Sequence, residues 1–378
     1  MSPQIEIQII AIIVAVACSL PGVFLVLRKM AMMSDAITHT ILLGIVIAFF
    51  ITNSLTSPLL IIGAALMGVF TVFLTEILNS TKLVSEDSAI GIVFPLLFSI
   101  AIIIISKYAG SVHLDTDSVL LGELAFATFD RMKIFGIDIG AKAIYSMGII
   151  LVINLLFVTI FFKELKIVTF DPALAAVLGF SPALIHYSLM TIVSITAVGA
   201  FESVGSILVI AFMIGPPVTA YLITDDLKWM IILSAIIGAL NGVLGYQFAS
   251  LLDVSIAGSM ALMTGIVFLL VFIFAPHRGF ITIFRRRKFQ KTDFAGKSLM
   301  FHIFNHEGEE NEALENGVNT IQKHLHWNDQ FLKSIIKELK EQERIYVKDD
   351  VIKLTESGRE YAIKSYEEIV SGLEINQS

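Results

Sequence analysis

The chain has 378 residues, of which 56% are hydrophobic, and its formal net charge is −7 at pH 7. Its mean hydropathy of +0.83 is too high for a soluble domain of this length, and several runs approach the ~20 apolar residues that cross a bilayer. The single cysteine, Cys18, excludes an internal disulfide and a thiolate metal cluster. These features predict an all-α polytopic membrane protein.

Nine apolar segments are candidate membrane spans. They cover approximately residues 5–27, 35–52, 58–78, 88–106, 143–162, 184–200, 204–223, 229–250 and 256–275. The first segment lacks the basic start of a cleavable signal, so we expect it to span the membrane. Residues 108–130 are too polar to cross lipid and are predicted to form a loop or a short re-entrant piece, which leaves an eight-span version open.

The distribution of basic residues predicts the orientation. In the nine-span version, one side of the membrane receives Arg28, Lys29, Lys163, Lys166, Arg285, Arg286, Arg287 and Lys288. The opposite side receives Lys107, Arg131, Lys133 and Lys142. Because loops rich in Lys and Arg stay in the cytoplasm, we expect the N-terminus outside and the C-terminus inside the cell membrane.

The second span contains an aspartate and a histidine, in the sequence "MMSDAITHTILLGIVIAFF". Asp35 and His39 are one turn apart and therefore lie on one face of a helix. A carboxylate and an imidazole suit Mn²⁺, Fe²⁺ or Zn²⁺ better than Cu(I). A two-fold dimer would supply a second pair, and four such ligands satisfy tetrahedral Zn²⁺. Spacing alone favours the alternative, in which Asp35 caps the helix and His39 is hydrogen-bonded within the bundle.

Two further groups of polar residues could bind the same kind of ion. Glu202 stands between glycines in "AVGAFESVGS", either in a simple hairpin between spans or as an oxygen ligand facing the pathway. His113, Asp115 and Asp117 occupy alternate positions, so an extended chain would direct all three to one face. They form either a metal-collecting mouth or, as spacing favours, a solvated loop.

The loop after the fifth span reads "VTFDPALAAVLGFSP". Asp171 is a suitable N-cap, Pro172 fits the first helical position and Gly179 is the expected stop. The pattern predicts a short capped helix that contains Ala175 and Ala176. It is either a connector or a rigid docking element.

Four blocks of the sequence, in order, resemble one known family. They are "RKMAMMSDAITHTILLGIVIAF", "HLDTDSVLLGELAF", "DPALAAVLGF" and "ESVGSILVIAFMIGPPVTAYLI". They are similar to the membrane subunits of ABC importers for manganese, zinc or iron, over about residues 1–280. The resemblance implies a separate ATP-binding subunit, an extracellular metal-binding protein and no permanently bound cofactor, with the metal as cargo. It also implies that Asp35 and His39 bind metal and that residues 171–179 form the coupling helix.

The chain itself offers no phosphate loop. Gly296, Lys297 and Ser298 match the end of the Walker pattern, but its first glycine would fall at Lys291. We therefore expect a homodimeric transport subunit rather than an enzyme. Two rival functions stay open: an ion-coupled secondary metal carrier that needs no ATPase, and a membrane-anchored metal sensor that acts through its C-terminal region.

The composition divides the chain into a transmembrane domain at 1–284 and a polar cytoplasmic domain at 293–378. The polar domain predicts a helix, a strand pair and a helix, and it resembles a small α+β winged helix. Its acidic balance makes nucleic acid binding unlikely. It is either a docking or dimerisation module or a regulatory metal-binding domain, and the regulatory hypothesis rests on four histidines: His302, His306, His324 and His326.

Overall fold

The computed structural model describes residues 2–53, 57, 59–108, 124–134, 137–276 and 278–375. The chain divides into two compact units, Met1–Phe280 and Ile281–Ser378. This division falls just before the end of the transmembrane domain expected at residue 284.

Nine helices among the described residues of the first unit are long and apolar enough to span a membrane. They are α1 (Pro3–Leu27), α2 (Ala31–Thr52), α3 (Leu59–Ser80), α4 (Glu86–Tyr108), α5 (Lys142–Ile160), α8 (Pro182–Val204), α9 (Ser206–Ile223), α10 (Leu227–Leu252) and α11 (Ile256–Phe274). Their number and order agree with the nine-span version of the prediction.

Shorter elements connect these spans. An antiparallel hairpin of β1 (Arg131–Ile134) and β2 (Ile137–Ala141) precedes α5. Two short helices, α6 (Phe162–Phe170) and α7 (Pro172–Val177), connect α5 to α8. The hairpin was not predicted, because its strands are short and neither is apolar along its length.

Polar contacts define the two ends of the helical bundle. Arg28, after α1, donates from Nε to Thr169 Oγ1 over 3.1 Å, next to α7. Arg131 Nη1 of the hairpin lies 3.3 Å from the buried Glu6 Oε2 in the first turn of α1. We call these ends the α7 side and the hairpin side. Because the spans alternate, α2 and α8 begin on the α7 side, where α11 ends.

Helix α1 lies at the centre of the unit and contains Pro21. A proline inside a helix leaves the carbonyl four residues earlier without its amide donor. That carbonyl belongs to Ala17, and it accepts a hydrogen bond of 2.8 Å from Asn154 Nδ2 of α5. Lipid offers no replacement donor, so this side chain makes the proline tolerable at this depth.

Close helix contacts in the unit depend on glycine. A Cβ atom built on Gly22 of α1 would lie 2.0 Å from the Met213 carbonyl oxygen of α9. Pro217, four residues after Met213, lacks the amide that would normally donate a hydrogen bond to this carbonyl. Similarly, a Cβ on Gly44 of α2 would lie 2.3 Å from the Gly63 carbonyl oxygen of α3. Small residues let membrane helices approach backbone to backbone, and here they fix α1 and α2 against their neighbours.

The second unit combines helices with one small sheet. Its elements are α12 (Phe280–His306), α13 (Glu312–Glu315), α14 (Ile321–Leu325), α15 (Asp329–Glu341), β3 (Ile345–Lys348), β4 (Val351–Leu354) and α16 (Glu356–Ile375). Strands β3 and β4 pair in antiparallel fashion around Asp349 and Asp350, which both have positive φ. Helix α15 buries an apolar stripe of four residues: Leu332, Ile335, Ile336 and Leu339.

Candidate metal sites

Asp35 and His39 form a pair inside α2. The helix begins after Met30, which caps it without a side-chain hydrogen bond, so Asp35 is an interior residue and the capping alternative is wrong. His39 Nε2 lies 3.3 Å from Asp35 Oδ1. Two ligands that share one zinc ion at about 2.1 Å are about 3.0–3.4 Å apart. The two atoms therefore have a separation suited to one ion.

The pair lies on an open stripe in the first half of α2, where most other residues are buried. The side chains of His39 and Asp35 are 22% and 35% exposed, and Met32 continues the stripe one turn earlier. Phe94 and Phe98 of α4 flank the imidazole, with ring centroids 5.2 and 5.8 Å away. A polar pair with an apolar rim and an open face can accept an ion and release it.

The pair is incomplete within one chain. Among the described residues, no third His, Cys, Asp or Glu forms a group of three with it. Glu202 is exposed on the hairpin side, where its Oε1 lies 3.7 Å from Lys142 Nζ, at the opposite end of the bundle from Asp35. His113, Asp115 and Asp117 lie outside the described residues.

The short helix α7 has the predicted local structure. Asp171 Oδ1 accepts a hydrogen bond of 2.9 Å from the Leu174 amide, and Gly179 follows with φ +88°. Ala175 is fully buried, whereas Ala176 is exposed. The large apolar side chains on and beside α7 are exposed: Phe170, Leu174, Val177, Leu178 and Phe180. Such a patch on a connecting segment indicates a contact surface.

A polar cluster connects the segments around α7 to the spans. His186 of α8 lies with its Nε2 2.8 Å from Glu76 Oε1 of α3, and Tyr187 donates its hydroxyl to the same carboxylate. Arg28 Nη1 lies 3.4 Å from His186 Nδ1 and also binds Thr169. We call these residues the Glu76 cluster. The spacing of these residues along the chain gave no sign of it, because its members come from four separate helices.

A second group of ligands lies in the second unit. His302 and His306 of α12 and Glu315 of α13 each offer one ligand atom, and these atoms lie within 4.8 Å of one another. His324 Nδ1 of α14 lies 3.3 Å from Glu315 Oε2. We call these four residues the His302 cluster. Burial lowers the pKa of the His302 ring, which favours its neutral form.

One predicted residue, His326, does not join this group, and Glu315 was not predicted. His326 has left-handed backbone geometry, and its Nδ1 lies 3.2 Å from the His324 carbonyl oxygen, outside the cluster. Glu315 was missed because it belongs to a separate helix, 13 residues after His302, where no helical spacing relates the two. Only the run of acidic residues between 307 and 315 could have pointed to a carboxylate nearby.

Comparisons with known proteins agree with this architecture. Residues 5–275 match the ABC 3 transport family. The manganese transport system membrane protein MntD of Bacillus subtilis (strain 168) is 49% identical over 271 residues, which are 72% of this chain and 92% of that protein. The solved structure of PsaBC from Streptococcus pneumoniae in complex with Fab is 29% identical, covers 75% of this chain and 95% of the matched chain, and has a TM-score of 0.62.

A second relative reaches further along the chain. The zinc transport system membrane protein TroD of Treponema pallidum (strain Nichols) is 42% identical over 323 residues, or 85% of this chain and 88% of that protein. The 323 matched residues are more than the first unit contains, so the similarity extends into the second unit. The chain therefore belongs to the ABC 3 transport family, as a membrane-spanning permease subunit whose ATPase is a separate protein.

Proposed function

We propose that this chain is the permease of an ATP-driven importer that moves a divalent transition metal into the cytoplasm as a homodimer. The cargo class is manganese, zinc or iron, and an extracellular metal-binding protein delivers it. The single observation that carries the proposal is the Asp35–His39 pair, two ligand atoms 3.3 Å apart on the open stripe of a membrane helix. An ionisable pair in lipid is expensive, and such pairs usually mark an ion pathway.

The incomplete ligand set supports a dimer. Two ligands do not satisfy Zn²⁺, Mn²⁺ or Fe²⁺, while a two-fold axis beside the stripe would bring a second Asp35 and a second His39 to the same ion. Both side chains of the pair are partly exposed, so a partner chain could contribute these ligands. Mn²⁺ would add water oxygens to this set, because it prefers more oxygen ligands.

The surface of α7 supports docking of the ATPase. Val177 is 84% exposed on a helix that is held rigidly by its Asp171 cap and by the buried Ala175. The Glu76 cluster then joins the segments on both sides of α7 to α1 and α3. Movement of α7 against the ATPase would therefore reach α1, which leads directly into α2 and its metal-binding pair.

The test is metal uptake into proteoliposomes that contain the permease, with the metal-binding protein outside, with and without the partner ATPase, for Mn²⁺, Zn²⁺ and Fe²⁺. We expect uptake only with the ATPase and ATP. Val177→Glu should lower uptake per ATP hydrolysed, whereas Val177→Leu, which keeps the surface apolar, should not. Full uptake driven by an ion gradient without ATPase would instead support a secondary carrier. Absence of flux under every condition would support a membrane-anchored sensor.

A further inference from the structure

The second unit holds a more complete set of metal ligands than the membrane pair. Three helices contribute to the His302 cluster: His302 and His306 come from α12, Glu315 from α13 and His324 from α14. The rings of His302 and His306 are 4.8 Å apart, and those of His302 and His324 are 6.0 Å apart. Three imidazoles around one carboxylate give one candidate site with nitrogen and oxygen ligands.

Buried backbone contacts hold these ligands in place. Asn316 is fully buried, and its Nδ2 donates to the Ile303 carbonyl oxygen of α12 over 3.2 Å. The backbone carbonyl oxygen of Asn316 accepts a hydrogen bond of 2.9 Å from the Ile352 amide of β4. Asn316 thereby ties the end of α13 to α12 and to the sheet. Glu315, the preceding residue, is fixed beside His302 without depending on a flexible loop.

Each ring of the cluster has one hydrogen-bond acceptor: the Glu315 carbonyl oxygen for His302, Glu309 for His306 and the Glu315 carboxylate for His324. A neutral imidazole that donates from one nitrogen keeps a lone pair on the other, and this lone pair can bind a cation. The exposed fractions of the side chains are 17% for His302, 27% for Glu315 and 40% for His324, so the site is partly covered and still open to an ion. Imidazole nitrogens with one carboxylate oxygen are ligands that Zn²⁺ takes in tetrahedral sites.

We propose that His302, His306, Glu315 and His324 bind a divalent transition metal ion, with Zn²⁺ held more tightly than Mn²⁺. The preference follows from the order of divalent metal affinities for nitrogen-rich sites. Glu309, whose Oε2 lies 2.8 Å from His306 Nδ1, orients that ring from outside the site. A bound ion would connect α12, α13 and α14 directly.

The site has a regulatory role that rests on the proposed import function. The basic residues after the last span, Arg285, Arg286, Arg287 and Lys288, predict a cytoplasmic second unit, on the side that would receive the metal. Metal that accumulates there would fill the His302 cluster and slow further uptake. The imported metal would thus inhibit its own further import.

The binding test uses the full chain in detergent, stripped with a chelator, in an Asp35→Asn/His39→Gln background that removes the membrane pair. We expect one tightly held Zn²⁺ per chain by titration against a chromophoric chelator. His302→Ala with His306→Ala should weaken Zn²⁺ binding about 100-fold and Glu315→Gln at least about 10-fold, since even outer-shell partners contribute 10–100-fold. His326→Ala, in the same segment but outside the cluster, is the matched control. Equal affinity in all four proteins would overturn the site.

Two controls keep this result interpretable. Glu315→Gln preserves the size of the side chain, and thermal unfolding in chelator should show the same midpoint as for the parent protein. The absorption spectrum of bound Co²⁺ should change in the cluster variants and not in His326→Ala, because it reports the ligands directly. An unchanged Co²⁺ spectrum in Glu315→Gln would remove Glu315 from the site.

The regulatory test measures ATP-driven uptake against the Zn²⁺ concentration on the receiving side of the proteoliposome. In chains with Asp35 and His39 intact, we expect uptake to fall as this concentration rises for the unmodified protein and for His326→Ala. It should stay level for Glu315→Gln and for the His302→Ala/His306→Ala variant. Superimposable curves would overturn the regulatory role. Absence of ATP-driven uptake in all proteins would contradict the proposed function instead, and the binding test would still decide the site.

Discussion

The Asp35–His39 pair and the His302 cluster both combine imidazole and carboxylate groups, but they differ in the number of these groups and in how firmly they are held. The pair offers two ligands on one helix, 3.3 Å apart and open on one face. The cluster offers four ligands from three helices, fixed by a buried asparagine. A site with unfilled coordination positions lets an ion pass, whereas a filled and rigid one retains it. The difference fits the proposed transit of metal in the first unit and the proposed retention in the second.

The largest expected effect comes from removing the pair. Asp35→Asn with His39→Gln preserves side-chain size and removes both metal-binding groups. We expect ATP-driven uptake to fall about 100-fold or more, because loss of a direct ligand exceeds the 10–100-fold effect of an outer-shell partner. Zn²⁺ retained at equilibrium by the chain should not change.

The measurements are uptake by radioactive metal and retained Zn²⁺ by elemental analysis. Met32→Gln is the matched control, since Met32 lies on the same stripe and offers no imidazole or carboxylate. If retained Zn²⁺ fell together with uptake, the distinction between transit and retention would fail.

A mixed dimer would sharpen the comparison with a smaller effect. If the two pairs of a dimer share one ion, replacing Asp35 and His39 in one chain only would leave that ion with two of its four ligands. We then expect the uptake of this mixed dimer to fall about tenfold. Independent pathways would leave about half of the activity. Two differently tagged copies, purified through both tags, allow the uptake of the mixed dimer to be measured alone.

The smallest effect is expected from changing Asn316, which helps to hold Glu315 in the His302 cluster. Asn316→Ala removes a buried hydrogen bond worth about 1 kcal/mol, so Zn²⁺ affinity of the second unit should fall about fivefold while uptake stays unchanged. Asn319→Ala is the control, because Asn319 is exposed and its Nδ2 binds Asp350 Oδ2 over 3.0 Å. Equal affinities for the two variants would mean that Asn316 does not position Glu315.

The sequence was most informative where short-range rules apply. Hydropathy found the spans, and the Asp-Pro…Gly pattern correctly predicted the cap and stop of α7 through Asp171 and Gly179. The face shared by Asp35 and His39 followed from helical geometry alone. These features depend on neighbours within one turn, so the sequence contains the information that they need.

Features that depend on contacts between distant segments could not be predicted. Glu315 joins His302 only because Asn316 ties α13 to α12. Ala175 and Ala176 were treated alike, although tertiary packing buries the first and leaves the second exposed. The Glu76 cluster likewise needs the packing of α3 against α8. Each of these requires knowledge of which helices are neighbours, which periodicity does not provide.

The proline in α1 also constrains how the protein is made. The Ala17 carbonyl that Pro21 leaves open is satisfied by Asn154, a residue synthesised 137 positions later. This hydrogen bond can form only after more than a third of the chain has been synthesised. We therefore expect the centre of the bundle to gain its final hydrogen-bond pattern when the fifth span packs beside the first.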